Sequence, residues 1–210
     1  MPGKQEHSSS RRERKKAETR DRLYATSIRL FRKTGYDNVT VDRITELADV
    51  AKSTFFNYFP SKLGILAAYW SEIAEELLVY GESQRPPSSR KFFKRFFRHL
   101  GSQVQDDKGI FAILIREVML QPELQALNQS LTSRGFALYR KVLESGVASG
   151  ELRHSVDFAV VSSLIEDAWI GTLRSWIFSD YAFRLNATFE KKLDLIFDGL
   201  CPGSVVDSVR

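Results

Sequence analysis

Apolar residues recur along this chain three and four positions apart, the spacing of a helix that buries one face, and beyond Arg90 no stretch reads as a strand. From about Lys15, the residues Leu23, Ile28, Leu30 and Phe31 mark a first helix, and Gly35 follows as a left-handed C-cap. After YDNV, Thr40 is a good N-cap, and Asp42 puts a negative charge in the first turn, where the helix dipole favours it. Val41, Ile44, Leu47 and Ala48 are expected to share one face of this short second helix. Asp49 and Val50 interrupt it, Lys52 to Phe59 make a third helical run, and Pro60 ends that run. Ser61 then caps a longer helix carrying Leu63, Leu66, Tyr69, Trp70, Ile73, Leu77 and Leu78 up to the break at RPPSSR.

The helical period continues to the C-terminus. KFFKRFFRHLGSQV sets Phe92, Phe93, Phe96, Phe97 and Leu100 on one side, with Arg90, Lys91, Lys94, Arg95 and Arg98 on the other. GIFAILIREVMLQ is a mostly apolar helix closed by Pro122, and a long helix follows to about Ser145, before the turn at Gly146 and Gly150. VDFAVVSSLIEDAWIGTLRSWIF and FEKKLDLIFDGL supply two more helices. No internal repeat is present. The predicted architecture is all-α, with a small basic N-terminal unit of three helices and a larger, nearly neutral helical unit. Residues 1–14, polar and Ser-rich, are expected to be a disordered arm. The expected domains are 15–62 and 63–201, with a flexible tail at 202–210.

Charge sharpens this division. The 210 residues carry a net +5, but residues 1–62 hold 14 Lys and Arg against 8 Asp and Glu, whereas the rest hold 17 against 18. All of the excess lies in the first third, as expected where one segment meets a polyanion and the remainder does something else; a basic tail that aids solubility would give the same asymmetry. The single Cys201 has no intrachain partner, so nothing asks for an oxidising compartment. The start, MPGKQEHSSSRRERKK, lacks the apolar core of a secretory signal, and apolar runs such as FAILI are far shorter than a spanning helix. A soluble, cytoplasmic protein is expected.

Two short helices joined by a tight turn over residues 41–59, behind a longer helix, describe a helix-turn-helix. At ~100° per residue, Phe55 and Phe59 fall together on the third helix, with Phe56 off to one side and Ser53, Thr54, Asn57 and Tyr58 spread over the opposite side. Short hydroxyl and amide side chains let a backbone approach base edges closely, and Asn pairs with adenine in a bidentate way. A short capped helix with no ligand would show the same residue types.

The run TVDRITELADVAKSTFFNYFPSKLGIL resembles the DNA-binding signature of the tetracycline-repressor (TetR) family of bacterial regulators. Thr40, Ile44, Val50, Phe59, Ser61, Lys62 and Leu66 match the family pattern outright, while Phe55, Phe56 and Tyr58 stand where the family has Leu, Tyr and His. The signature covers about 30 residues, and the all-α remainder agrees with the family's ligand-binding and dimerisation domain without carrying a motif of its own. The resemblance implies that Lys52, Ser53, Thr54 and Asn57 meet bases or nearby phosphates in the major groove, and that Thr40, Tyr58 and Lys62 hold the DNA backbone. Phe56, lacking the phenolic hydroxyl, is placed against a thymine methyl or a sugar edge. Asp49 replaces a turn Gly, which Asp tolerates better than most residues. Ala51 replaces a Ser N-cap, at a cost of about 1 kcal/mol.

No H-E-x-x-H, G-x-x-x-x-G-K-[ST], G-x-S-x-G or C-x-x-C is present, and His7, His99 and His154 form no close ligand cluster, so neither an enzyme nor a bound cofactor is expected. His99, beside the Phe-rich stripe, is read as a structural histidine. KFFKRFFRHL is read as core packing with a solvated basic face; a membrane or nucleic-acid helix and the mouth of a pocket for an anionic amphiphile such as an acyl-CoA are its alternatives. Apolar richness over residues 92–178 suits a ligand cavity, with Phe96, Leu100, Phe111, Ile115, Met119, Tyr139, Trp169 and Leu173 as candidate lining, although any helical core requires the same richness. Glu166, Asp167 and Arg174 are candidates for interhelical pairs, dimer contacts or ligand anchors. The expected protein is a ligand-responsive repressor: a homodimer that binds double-stranded palindromic operator DNA, is released by a small hydrophobic effector, and makes no membrane contact. The alternative is a helical carrier of small molecules or acyl groups that does not bind DNA.

Overall fold

The computed structural model describes the backbone of residues 3–202 and the side chains of residues 11–202, and among the described residues it holds nine helices and no strand. The chain divides into two compact units after Trp70, each described in turn below. The division falls inside α4 (Lys62–Ser83), not at the expected 62/63, because Ile65, Leu66 and Tyr69 in the first turns of that helix are buried core residues of the first unit.

In the first unit, α1 (Gly3–Thr34) buries Leu23, Ile28, Leu30 and Phe31, and Gly35 closes it at φ 78°, its N–H donating to Phe31 O at 3.1 Å. The expected disordered arm is helical from Gly3 onward. Arg, Lys, Gln and Glu are good helix formers, and extending a helix already nucleated by core contacts is far easier than starting one. Arg14 and Glu18, one turn apart at 3.4 Å, add a little to it. Next, α2 (Val41–Leu47) buries Ile44 and Thr45, with its C-cap Ala48 buried as well, but Leu47, expected on that face, is 42% exposed. The apolar stripe of a two-turn helix is narrow, and here it runs from Ile44 toward Thr45, away from Leu47.

The third helix, α3, is only Lys52–Phe56, with Asn57 as its C-cap and a turn to Pro60, so the run expected to reach Phe59 ends a turn early. Phe55 and Phe59 are fully buried with ring centroids 5.9 Å apart.

The second unit is built around α5 (Ser89–Asp106), with α6 (Lys108–Leu120), α7 (Pro122–Ala148), α8 (Phe158–Phe178) and α9 (Leu185–Asp198). Its core is aromatic: Phe97 lies 4.7 Å from Phe189, 5.4 Å from Trp169 and 6.0 Å from Tyr139, and Phe93 packs 5.6 Å from Phe197. The basic side of α5 is not simply solvated. Arg90 meets Asp198 at 2.6 Å, Lys94 meets Asp194 at 2.6 Å and Arg98 meets Glu190 at 2.7 Å, a row of ion pairs that sets the register of α5 on α9. His99 stacks on Tyr80 of α4 at 4.0 Å with Nε2 3.5 Å from Glu76, a packing position. No helix among the described residues is long and apolar enough to cross a membrane. The tail from residue 203 lies outside the described residues.

Candidate nucleic-acid interface and effector site

Around α3 the backbone is held from behind and its front is left free. Phe55 is the anchor, with Phe56 and Phe59 packed on it at 5.4 and 5.9 Å. The turn into α3 needs a left-handed residue, and Asp49 supplies it at φ 51°. Ala51 sits at the N-cap without a side-chain hydrogen bond, so the first N–H groups of α3 have no capping oxygen from this residue.

The sequence-predicted contacts fall into three groups. Ser53 and Asn57 are exposed and Thr54 and Tyr58 half-buried, a hydrogen-bonding surface about one helical turn long beside Phe56, which is 48% exposed. Thr40 and Lys52 are exposed but already engaged: Thr40 Oγ1 accepts from the Arg43 N–H at 3.2 Å, and Lys52 Nζ meets Asp42 Oδ1 at 2.7 Å. Lys62 is different. Its ammonium donates to Tyr36 O at 2.6 Å and Val39 O at 2.9 Å and lies 4.1 Å from the Tyr36 ring, tying the loop between α1 and α2 to the start of α4. That network gives Lys62 a structural task in the head itself, beyond the backbone contact expected of it.

The eight candidate ligand residues are not brought together. Phe96, Leu100, Phe111, Tyr139, Trp169 and Leu173 are all buried, with Phe96, Tyr139 and Trp169 packed on other aromatic rings, while Ile115 and Met119 line a separate trough of about 220 Å³ between α6 and α8, flanked by Arg116, Arg174 and Phe178. The larger cleft, about 450 Å³, is lined by none of the eight. It lies among the end of α4, the start of α5 and α7, with Phe92, Leu138 and Val142 on its apolar side and Arg85 and Lys141 at its polar side. Glu151 holds one wall by accepting from the Ser89 and Arg90 N–H groups at 2.7 and 3.1 Å. Gly146 is required there, because a Cβ would collide with Ser89 Oγ. The sequence signals for this cleft, the RPP break and the SGVASG turn, read only as helix ends. Near the core, burial pushes the Glu166 carboxyl up to about 7, helped by Asp167, and burial raises the Tyr139 phenol well above its ordinary value. Asp167 and Arg174 are exposed, and no ion pair joins Arg174 to Glu166.

Residues 23–69, which span the helix-turn-helix, match the model of the bacterial regulatory proteins of the tetR family. The fatty acid metabolism regulator protein of Bacillus subtilis is 23% identical over 181 residues, covering 83% of this chain and 91% of that protein. The transcriptional repressor KstR of Rhodococcus jostii is 25% identical over 181 residues, with 82% of each chain covered. Among solved structures, FadR of Bacillus subtilis in complex with stearoyl-CoA superposes with a TM-score of 0.74 at 19% identity, over 85% of this chain and 98% of that one. FadR of Thermus thermophilus in complex with lauroyl-CoA gives 0.66 at 21%, over 89% and 97%. Residues 23–69 are thus a DNA-binding domain of the tetR family type, and over most of its length the chain is similar to transcriptional regulators, a repressor among them.

Proposed function

We propose that this protein is a cytoplasmic, homodimeric repressor that binds a palindromic operator through α3 and is released by a fatty acyl-CoA. The observation that carries the DNA contact is the free hydrogen-bonding face of Ser53, Thr54, Asn57 and Tyr58 on a helix anchored by Phe55. Ser53, Thr54 and Asn57 read base edges, Phe56 makes apolar contact, and Thr40, Lys52 and Tyr58 meet the phosphates, Lys52 exchanging Asp42 for DNA.

The dimer reading rests on α8. Val160, Leu164, Asp167, Gly171, Arg174 and Phe178 alternate at spacings of four and three, the seam of a packed helix pair, and Val160, Leu164 and Phe178 are 61%, 47% and 82% exposed. In an antiparallel pairing of two copies about Gly171, Asp167 of each chain comes within reach of Arg174 in the other. Leu195 of α9, 74% exposed, extends the apolar face.

The acyl-CoA reading is carried over from the stearoyl-CoA and lauroyl-CoA in the two structural neighbours. The 450 Å³ cleft suits such an amphiphile: its volume falls within the usual ligand range, Arg85 and Lys141 suit phosphates, and Phe92 and Leu138 lead toward the aromatic core. Ligand then acts by population shift, favouring a head separation that no longer matches half-sites one turn or a multiple apart.

The test uses a duplex recovered from random-sequence DNA by selection with the protein, read by fluorescence anisotropy. Asn57→Ala is expected to cost about 1–3 kcal/mol at particular base pairs. Oleoyl-CoA is expected to release the duplex, while free CoA is not. Absence of saturable, salt-dependent DNA binding would favour the carrier, and binding of oleoyl-CoA without release would remove it as the effector.

A further inference from the structure

Within the head, the strongest concentration of positive charge precedes the helix-turn-helix. Residues 1–16 hold six Lys and Arg against two Asp and Glu, whereas residues 17–62 hold eight against six. Most of the head's excess charge therefore comes before Leu23, the first buried side chain of the described residues. Inside the head several cations are engaged locally: Arg43 is paired with Glu46 at 2.6 Å, Lys52 with Asp42 at 2.7 Å, and Lys62 is held by hydrogen bonds to two carbonyls. On α1, Arg14 has Glu18, but Arg11, Arg12, Lys15 and Lys16 have no ion-pair partner among the described residues, and all four are exposed.

Their placement gives this charge a direction. The Arg20 guanidinium lies 5.4 Å from the ring centre of Phe59, so α1 passes beside the C-terminal end of the segment that carries Asn57 and Tyr58. Lys16 and Arg12 stand four and eight positions before Arg20, about 40° and 80° round the helix from it and roughly 6 and 12 Å further along its axis. One strand of duplex presents a phosphate about every 3.4 Å of axis, so this row is long enough to meet successive phosphates. Glu13 is the acidic residue on the same face.

We propose that the start of α1 is a second DNA-contact element, a helical arm whose Arg12 and Lys16, with Arg11 and Lys15 beside them, bind phosphates flanking the half-site outside the bases read by α3. The arm rests on the DNA-binding role of the head and adds to it a contact that carries affinity without sequence choice. Its residues lie ahead of the core, so substitution there leaves the head folded, which a thermal melt checks.

The full-length R12Q/K16Q variant, the parent and N57A are titrated across KCl by fluorescence anisotropy, on the selected duplex and on a scrambled one. For R12Q/K16Q the slope of log K against log salt is expected to shrink by about 0.9 per lost contact, close to 3.6 for a bound dimer, while the ratio of affinities for the two duplexes stays that of the parent. For N57A the ratio falls and the slope holds. E13Q, which removes the opposing acid, is expected to bind both duplexes more tightly. An unchanged slope in R12Q/K16Q, with N57A still losing its ratio, overturns the arm and leaves the α3 reading standing. A fall in the ratio for R12Q/K16Q overturns it in favour of base reading by the arm. No effect from either variant removes the α3 contacts as well.

Discussion

Around α3 the side chains left facing solvent are mostly polar, Lys52, Ser53 and Asn57 with Phe56 beside them, whereas along α8 they include Val160, Leu164 and Phe178. Both helices are anchored from behind by buried aromatics, Phe55 and Phe59 in one case, Trp169 and Trp176 in the other. What differs is the partner each free face can accept. Hydroxyls and an amide on a short helix lose little on leaving water if a polar, hydrated surface replaces it, and a DNA groove is such a surface. An apolar stripe gains only when another apolar surface covers it. The same helical period thus leaves two kinds of free face, and burial alone does not distinguish them.

The comparison is broken most sharply at α8. Leu164→Glu would put a carboxylate into both copies of the proposed α8 interface, and the expected result is dissociation to monomers at micromolar concentration, a loss of more than about 5 kcal/mol, with operator affinity falling in step. Analytical ultracentrifugation reads the first effect and anisotropy the second; a dimer that survives moves the interface elsewhere. Phe55→Ala attacks the head from behind. Removing a ring buried to 0% exposure should cost about 3–5 kcal/mol, and in a melt the head transition moves down while the second unit's stays.

Lys62→Ala refines the head's own division of labour. Losing two charge-assisted hydrogen bonds to the Tyr36 and Val39 carbonyls should cost about 2–3 kcal/mol of head stability, with the salt slope of DNA binding unchanged. A slope smaller by about 0.9 per protomer would instead mean that the ammonium reaches phosphate in the complex.

A pH-dependent effect is expected in the second unit. Burial gives folded Glu166 a pKa of about 7 against 4.5 for an exposed glutamate, so the native state binds the extra proton between those values. Stability of that unit is therefore expected to decline as pH rises from about 4.5 to about 7, and Glu166→Gln should flatten this part of the curve in pH-dependent denaturant titrations.

Much of this was legible in the residues. Helix order followed from spacing, breaks and caps: Thr40, Gly35 and Asp49 do in the structure what their chemistry allows, because caps and left-handed turns depend on only a few neighbouring residues. The division of AKSTFFNYFPSK into buried Phe55 and Phe59 and outward Ser53 and Asn57 also follows from the period. Other features depended on distant partners. Nothing near KFFKRFFRHL announces that Arg90, Lys94 and Arg98 will meet Asp194, Asp198 and Glu190 about a hundred residues away. The cleft was missed for the same reason: Gly81, Phe92 and Leu138 belong to three helices, and large apolar residues such as Phe96 and Trp169 mark a core whether or not it contains a cavity. The helical arm was missed because composition measures what a segment does alone, and α1 was already nucleated downstream.

The sequence by itself therefore determined the all-α class, the helix-turn-helix, the charge asymmetry and the outward face of α3, all set by local period, capping and net charge. Tertiary structure alone decided which cations remain free for DNA, which apolar residues stay uncovered on α8, and where the second unit opens a cleft. Those outcomes depend on which helices meet, and chain segments far apart in sequence encode that meeting only through their packing.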